Sequence, residues 1–175
     1  TIQNPADAIK KGLCYLSEDR RGEGFVGQFS VKWNISLANL RNVLKHGILN
    51  NKKEMSIAEK AVDAMLIRTP SLEQKVYNLS GGNQQKVVIG KWLNTDVSIY
   101  IFDEPTRGID VGAKAEIYQL INELADSGKS IIFISSELPE ILGVCDRILV
   151  MRQGAISAEL KDKNISAQAF IENAI

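Results

Sequence analysis

The feature that most constrains this chain is an alternation of short β-branched runs with amphipathic helical stretches. Val97-Ser98-Ile99-Tyr100-Ile101-Phe102 is one such run, and its side chains suit a strand buried on both faces. Helical spacing follows from about Ala113 to Ala125, with Ile117, Leu120, Ile121 and Leu124 on one side. Ser127-Gly128 stops that helix, Ile131 to Ile134 supplies another buried strand, and a further helix is expected near Pro139 to Leu142. Buried strands alternating with amphipathic helices predict an α/β fold, a parallel sheet with helices packed on its faces. Ile148 to Met151, the turn Gln153-Gly154 and Ile156 to Leu160 read as a hairpin, and a short helix from about Ser166 ends the chain.

Nearer the N-terminus, Asn4 and Pro5 open a short capped helix that Gly12 closes before an apolar strand at Leu13 to Leu16. Glu18 to Gly24 is charged and glycine-bearing, which predicts an exposed loop. Helical spacing returns from Val31 to Leu44 and from Ile57 to Leu66, where Ile57, Ala58, Ala61, Val62, Met65 and Leu66 form a stripe. His46, the only histidine, falls in this region and is expected at the surface. Lys plus Arg equals Asp plus Glu at 21 each, with no long run of either sign, so nucleic acid and anionic membrane are not expected partners. The apolar runs fall far short of the roughly 20 residues needed to cross a bilayer. Cys14 and Cys145 form no CxxC pair, which argues against a metal or disulfide framework and fits a reducing cytoplasm.

Two segments carry chemistry. Leu79-Ser80-Gly81-Gly82-Asn83-Gln84-Gln85-Lys86 stands at the start of a helix. Paired glycines let an anion approach the backbone, the serine hydroxyl can donate to it, and the open N–H groups and helix dipole favour negative charge. Taken alone, Ser-Gly-Gly reads better as a loop ending in an N-cap serine. Asp103-Glu104-Pro105-Thr106 follows the Val97 strand and would sit at the carboxyl edge of a parallel sheet, where ligands of open α/β folds bind. In a P-loop ATPase the first carboxylate of such a pair holds Mg²⁺, directly or through water, and the second can polarise the attacking water. The same pair can instead cap the turn into the next helix. In Arg107-Gly108-Ile109-Asp110, Gly108 permits a tight bend and Asp110 can cap a helix from Val111.

Leu79 to Lys86 resembles the signature motif of ABC ATPases, and Asn83-Gln84-Gln85-Lys86 resembles its variant in simple-sugar importers. Val97 to Thr106 resembles a Walker B motif with its catalytic glutamate, and Arg107 to Asp110 a D-loop. The resemblance covers the whole chain and implies a P-loop NTPase-like, ABC ATPase fold: an α/β lobe from residues 1–30 and 88–175, with an inserted helical signature subdomain at 31–87. It implies ATP and Mg²⁺ as cofactors. Asp103 would serve the metal and Glu104 catalysis, while Ser80, Gly81, Gly82, Asn83, Gln85, Glu18 and Asp110 would serve nucleotide binding. Two positions depart from the family pattern. Glu18 stands where a glutamine loop is usual, and Ser136 stands in place of the switch histidine, aligned through Asp146-Arg147-Ile148. Serine is shorter than imidazole and cannot carry its charge. Both departures are similar to the C-terminal nucleotide-binding domain of double-headed monosaccharide importer ATPases, whose second site is regarded as degenerate.

A P-loop needs Gly, four residues, then Gly-Lys-Ser or Gly-Lys-Thr on a strand-to-helix turn. Gly128-Lys129-Ser130 fails, because Glu123 stands where the first glycine belongs and the turn leads from helix to strand. The resemblance places the genuine loop upstream of Thr1, so the chain is expected to be an N-terminally truncated domain, inactive alone. Its implied partners are a second ABC half-domain, membrane permease subunits and, indirectly, a sugar-binding protein, at the inner face of the cell membrane. An importer of nucleosides or autoinducers and an ATP-independent docking module are the alternative readings.

Overall fold

The computed structural model describes residues 1–161; the helix expected from Ser166 lies outside them. The chain divides into two units, Thr1–Ile132 and Phe133–Ile175.

In the first unit, α1 (Pro5–Lys10) starts at Asn4, whose side chain accepts from the Asp7 N–H. Gly12, at φ +78°, turns the chain into β1 (Leu13–Leu16). The segment expected to be an irregular loop instead forms one π-helical turn, Arg20–Gly24, because the Asp19 carboxylate accepts from Gly22 N–H at 2.9 Å. α2 (Val31–Leu37) follows, capped by Ser30. The helix expected to reach Leu44 ends at Leu37. Asn39 leaves helical geometry, its side-chain amide donates to the Asn94 carbonyl at 3.0 Å, and a 3₁₀ turn spans Leu40–Val43. A tight hairpin comes next, β2 (Leu44–Lys45) with β3 (Ile48–Leu49), turned by His46 and Gly47 at φ +51° and +80°. Positive φ at both central residues gives the turn twist that matches a hairpin, so exposed His46 is a turn residue and not a helical one.

α3 (Asn51–Ala64) packs on α2 and buries Glu54, Ala58 and Ala61. Its stripe stops one residue short of expectation: Leu66 lies past the helix at φ +49° and is 68% exposed. A polar cluster backs this contact. Lys32 donates to Glu73 at 2.7 Å, and Ser36 donates to buried Glu54 at 2.7 Å. α4 (Gly81–Leu93) runs through the 87/88 position and contacts α2, α3 and β1.

β4 (Ile99–Asp103) pairs in parallel with β1, Leu13 opposite Ile99 through Leu16 opposite Phe102. β5 (Ser130–Ile134) completes a sheet of order β1-β4-β5. Between β4 and β5, α5 (Val111–Asp126) buries Ile117, Leu120, Ile121 and Leu124, the four residues its periodicity marks. Gly128, at φ +87°, ends it, and Lys129 donates to the Val97 carbonyl at 2.7 Å, so Gly128-Lys129-Ser130 is a helix stop. The second unit holds α6 (Leu138–Val144) and the hairpin β6 (Ile148–Arg152) with β7 (Ala155–Leu160), turned at Gln153-Gly154.

Candidate functional site

The parallel register of β1 and β4 brings their carboxyl ends side by side. Ser17 and Glu18 leave one strand where Asp103 and Glu104 leave the other. Tyr15, Ser17, Glu18, Asp19, Glu23, Asp103 and Arg107 line an open cleft of about 590 Å³ at this edge. The Tyr15 hydroxyl donates to the Asp103 carboxylate at 2.7 Å. That bond raises the pKa of the tyrosine, with neighbouring carboxylate charge adding to it, so the phenol stays a donor. Arg107 forms an ion pair with Glu18 across the cleft. Glu104 has φ +45°, in the left-handed region. A non-glycine residue there costs of order 1–3 kcal/mol, which proteins tolerate mainly at functional sites.

The tip of α4 faces a different cleft, of about 210 Å³, lined by Arg68, Ser80, Gly82, Asn83, Asp110, Gly112, Ala113 and Glu116. Ser80 occupies the N-cap position without capping the helix. Its hydroxyl oxygen accepts from the Asn83 side chain at 2.9 Å, and Asn83 in turn accepts from the Arg68 backbone N–H at 2.8 Å. A hydroxyl that accepts in this way still has its own proton to donate. Gly81 is half-buried, and a Cβ there would meet Arg20 Nη2 at 3.2 Å. At Gly82 a Cβ would lie 2.6 Å from the Ala113 Cβ, so close approach of α5 requires this glycine. Gln85 is only 3% exposed and is not brought to either cleft. Asp110 caps α5, accepting from the Ala113 N–H at 3.0 Å.

Behind this tip, Lys86 is buried and donates to Glu116 at 2.7 Å and to the Leu66 carbonyl at 3.1 Å. Arg68 donates to the other Glu116 oxygen at 2.8 Å. The Lys86 hydrogen bond holds the Glu116 carboxyl below its ordinary pKa. Ser136 is exposed in the second unit. Its neighbour Ser135 is committed to α6, accepting from Glu137 N–H and donating to Glu140. Tyr15, Arg68 and Glu116 line the clefts without being singled out by the sequence, whereas Arg107 stands in the D-loop resemblance with no role of its own. Only Tyr15 carried a signal, since strand alternation turns it to the side opposite Cys14 and Leu16.

Both clefts present hard oxygen donors and none offers a nitrogen or sulfur cage. Among the described residues, no group of three or more His, Cys, Asp or Glu could hold a metal. Oxygen donors of this kind fit Mg²⁺, which is usually bound by one or two carboxylates together with phosphate oxygens and water. No helix of the described residues is long and apolar enough to cross a membrane.

Comparisons with known proteins show the family and the fold. Residues 4–107, more than half of the chain, match the ABC transporter family, and the chain belongs to it. It is 56% identical to a xylose import ATP-binding protein of Thermoanaerobacter pseudethanolicus, over 90% of this chain and 31% of that protein. It is 48% identical to an arabinose import ATP-binding protein of Pectobacterium atrosepticum, over 99% and 34%. With a ribose import ATP-binding protein of Oceanobacillus iheyensis it shares 52% identity over 91% and 32%. The chain thus spans about a third of the length of these relatives. Among solved structures, it is similar to the twinned-crystal structure of an ATP-binding cassette of an ABC transporter, with TM-score 0.78 and 21% identity over 99% of this chain and 72% of that one. A cassette dimer in a post-hydrolysis state with ADP and Pi gives TM-score 0.74 at 18% identity, over 91% and 67%. The fold is that of an ABC ATPase cassette.

Proposed function

We propose that this chain is part of the ATP-binding subunit of a bacterial importer of monosaccharides, contributing half of the machinery that grips a nucleotide's terminal phosphate. The observation that carries this reading is the cleft where β1 and β4 end together, with Asp103 fixed by Tyr15 and Glu104 beside it in strained backbone. The sugar class comes from relatives at 48–56% identity.

In this reading Asp103 would hold Mg²⁺, and the metal would supply charge that offsets the phosphates. Tyr15 occupies one Asp103 oxygen and so orients the carboxylate. Glu104 orients the attacking water and accepts its proton. Ser80 and the amides beyond it meet the nucleotide of a facing half-domain, which accounts for their separate cleft. Residues 31 to the end of α4 form the helical subdomain that meets the permease at the inner face of the membrane. The chain contains no Gly-x₄-Gly-Lys-Ser/Thr loop, so by itself it is expected to show no turnover.

The test uses the full-length subunit with its other nucleotide site emptied by mutation. Asp103→Asn should weaken magnesium-dependent ATP binding by about tenfold or more, a loss of roughly 1.4 kcal/mol. In the subunit with both sites intact, Glu104→Gln should slow sugar-stimulated hydrolysis far less than the same change in the other half, because Ser136 supplies no imidazole. Magnesium-dependent affinity that ignores Asp103→Asn would overturn the assignment of the cleft.

A further inference from the structure

The ion pair that crosses the cleft has a consequence for binding. Arg107 is the single cation among the residues lining it; Glu18, Asp19, Glu23 and Asp103 are all acidic. A polyphosphate entering such a surface meets repulsion unless positive charge comes to it. Arg107 is placed to supply that charge, four residues beyond Asp103 and next to Gly108, whose φ of +67° and open surroundings put a permissive joint beside it. In this structure the guanidinium is spent on Glu18. The two side chains are 66% and 45% exposed, and ion pairs so exposed hold weakly. A phosphate group offers a guanidinium paired oxygens of higher charge, matched to its planar fork.

We propose that Arg107 is an exchangeable phosphate-binding residue, parked on Glu18 until a nucleotide's polyphosphate takes it over. Glu18 is then a competitor of the ligand. This differs from what the resemblance implies, in which Glu18 would serve nucleotide binding. The proposal rests on reading the cleft as a nucleotide site, and the two can fail separately.

The experiment is a fluorescence titration of the full-length subunit, its other nucleotide site emptied, with magnesium and an ATP analogue carrying a fluorophore on the ribose. Unfolding curves recorded alongside verify that each variant is folded. Glu18→Gln should tighten binding about two- to fivefold, the scale of one exposed ion pair. Arg107→Gln should weaken it, and Glu18→Gln added to Arg107→Gln should change nothing further. Unchanged or weaker binding in Glu18→Gln overturns the proposal. So does tightening that persists without Arg107, which would mean that Glu18 acts on phosphate by bare repulsion. If the subunit with Glu18 and Arg107 intact shows no saturable binding, the nucleotide-site reading falls and takes the proposal with it.

Discussion

Gly81 and Gly82 are neighbours of one type with different reasons to be glycine. At Gly82 an added Cβ would meet the Ala113 Cβ at 2.6 Å, on a helix that cannot rotate the atom away. Gly82→Ala should therefore push α4 from α5 and lower stability by about 1–2 kcal/mol, since overpacking outweighs the helix propensity gained. At Gly81 the nearest atom is the end of the Arg20 side chain, which can move. Gly81→Ala should shift stability by less than about 0.5 kcal/mol, yet still crowd an anion approaching the helix tip. Urea unfolding of both variants checks the contrast; equal losses would show that α5 does not set the requirement at Gly82. The sequence marks both glycines as a pair open to phosphate. It does not carry the identity of the residue facing each one, because Ala113 and Arg20 reach them only through the fold.

At the scale of elements, Lys86 and Glu116 tie α4 to α5. Lys86 is 2% exposed, while the Glu116 side chain is 40% exposed, so the pair is buried on one side only. The Glu116 pKa is lowered, first by the Lys86 hydrogen bond and then by its charge. The folded chain therefore binds that proton more weakly than the unfolded chain. The resulting stabilisation is present above the ordinary carboxylate range and is lost as pH falls through the lowered value. Glu116→Gln should cost about 1–2 kcal/mol at pH 7, discounted for solvent on the carboxylate side. The gap to the unaltered chain should narrow on acidification below about pH 4. A gap that stays constant from pH 7 to pH 3 would assign the loss to packing. Most elements here were legible from periodicity: α5 buries its four marked residues, and Asn4 and Asp110 cap as their positions suggest. The failures are where local pattern and tertiary contact disagree. Val31 to Leu44 keeps helical spacing, yet Asn39 bonds to Asn94 and His46-Gly47 turns a hairpin. The cue was a turn dipeptide between Leu44 and Ile48, outweighed by the longer apolar rhythm around it.

At the scale of the whole molecule, the strands tell what surface the chain leaves to water. β5 reads Ser-Ile-Ile-Phe-Ile, a composition suited to a strand covered on both faces. Yet Ile132 is 49% exposed and Ile134 45% exposed, although the sheet order places β5 beside β4. Fully burying an isoleucine is worth about 1.5–3 kcal/mol, so two half-open ones on an edge strand form an adhesive strip. The 175-residue chain alone should self-associate as its concentration rises. Ile132→Lys should suppress this, because a lysine on an edge opposes strand-to-strand docking. Sedimentation velocity across a tenfold concentration range distinguishes the outcomes. Association that survives Ile132→Lys would move the sticky surface to the β2–β3 hairpin, where Ile48 is 74% exposed. A strictly monomeric chain at every concentration would mean that neither strip is open in solution. The same reasoning links association to function: in the longer proteins that this chain matches over about a third of their length, further polypeptide is available to cover β5. Self-association should therefore fall when the chain is studied within the longer subunit that the proposed function implies.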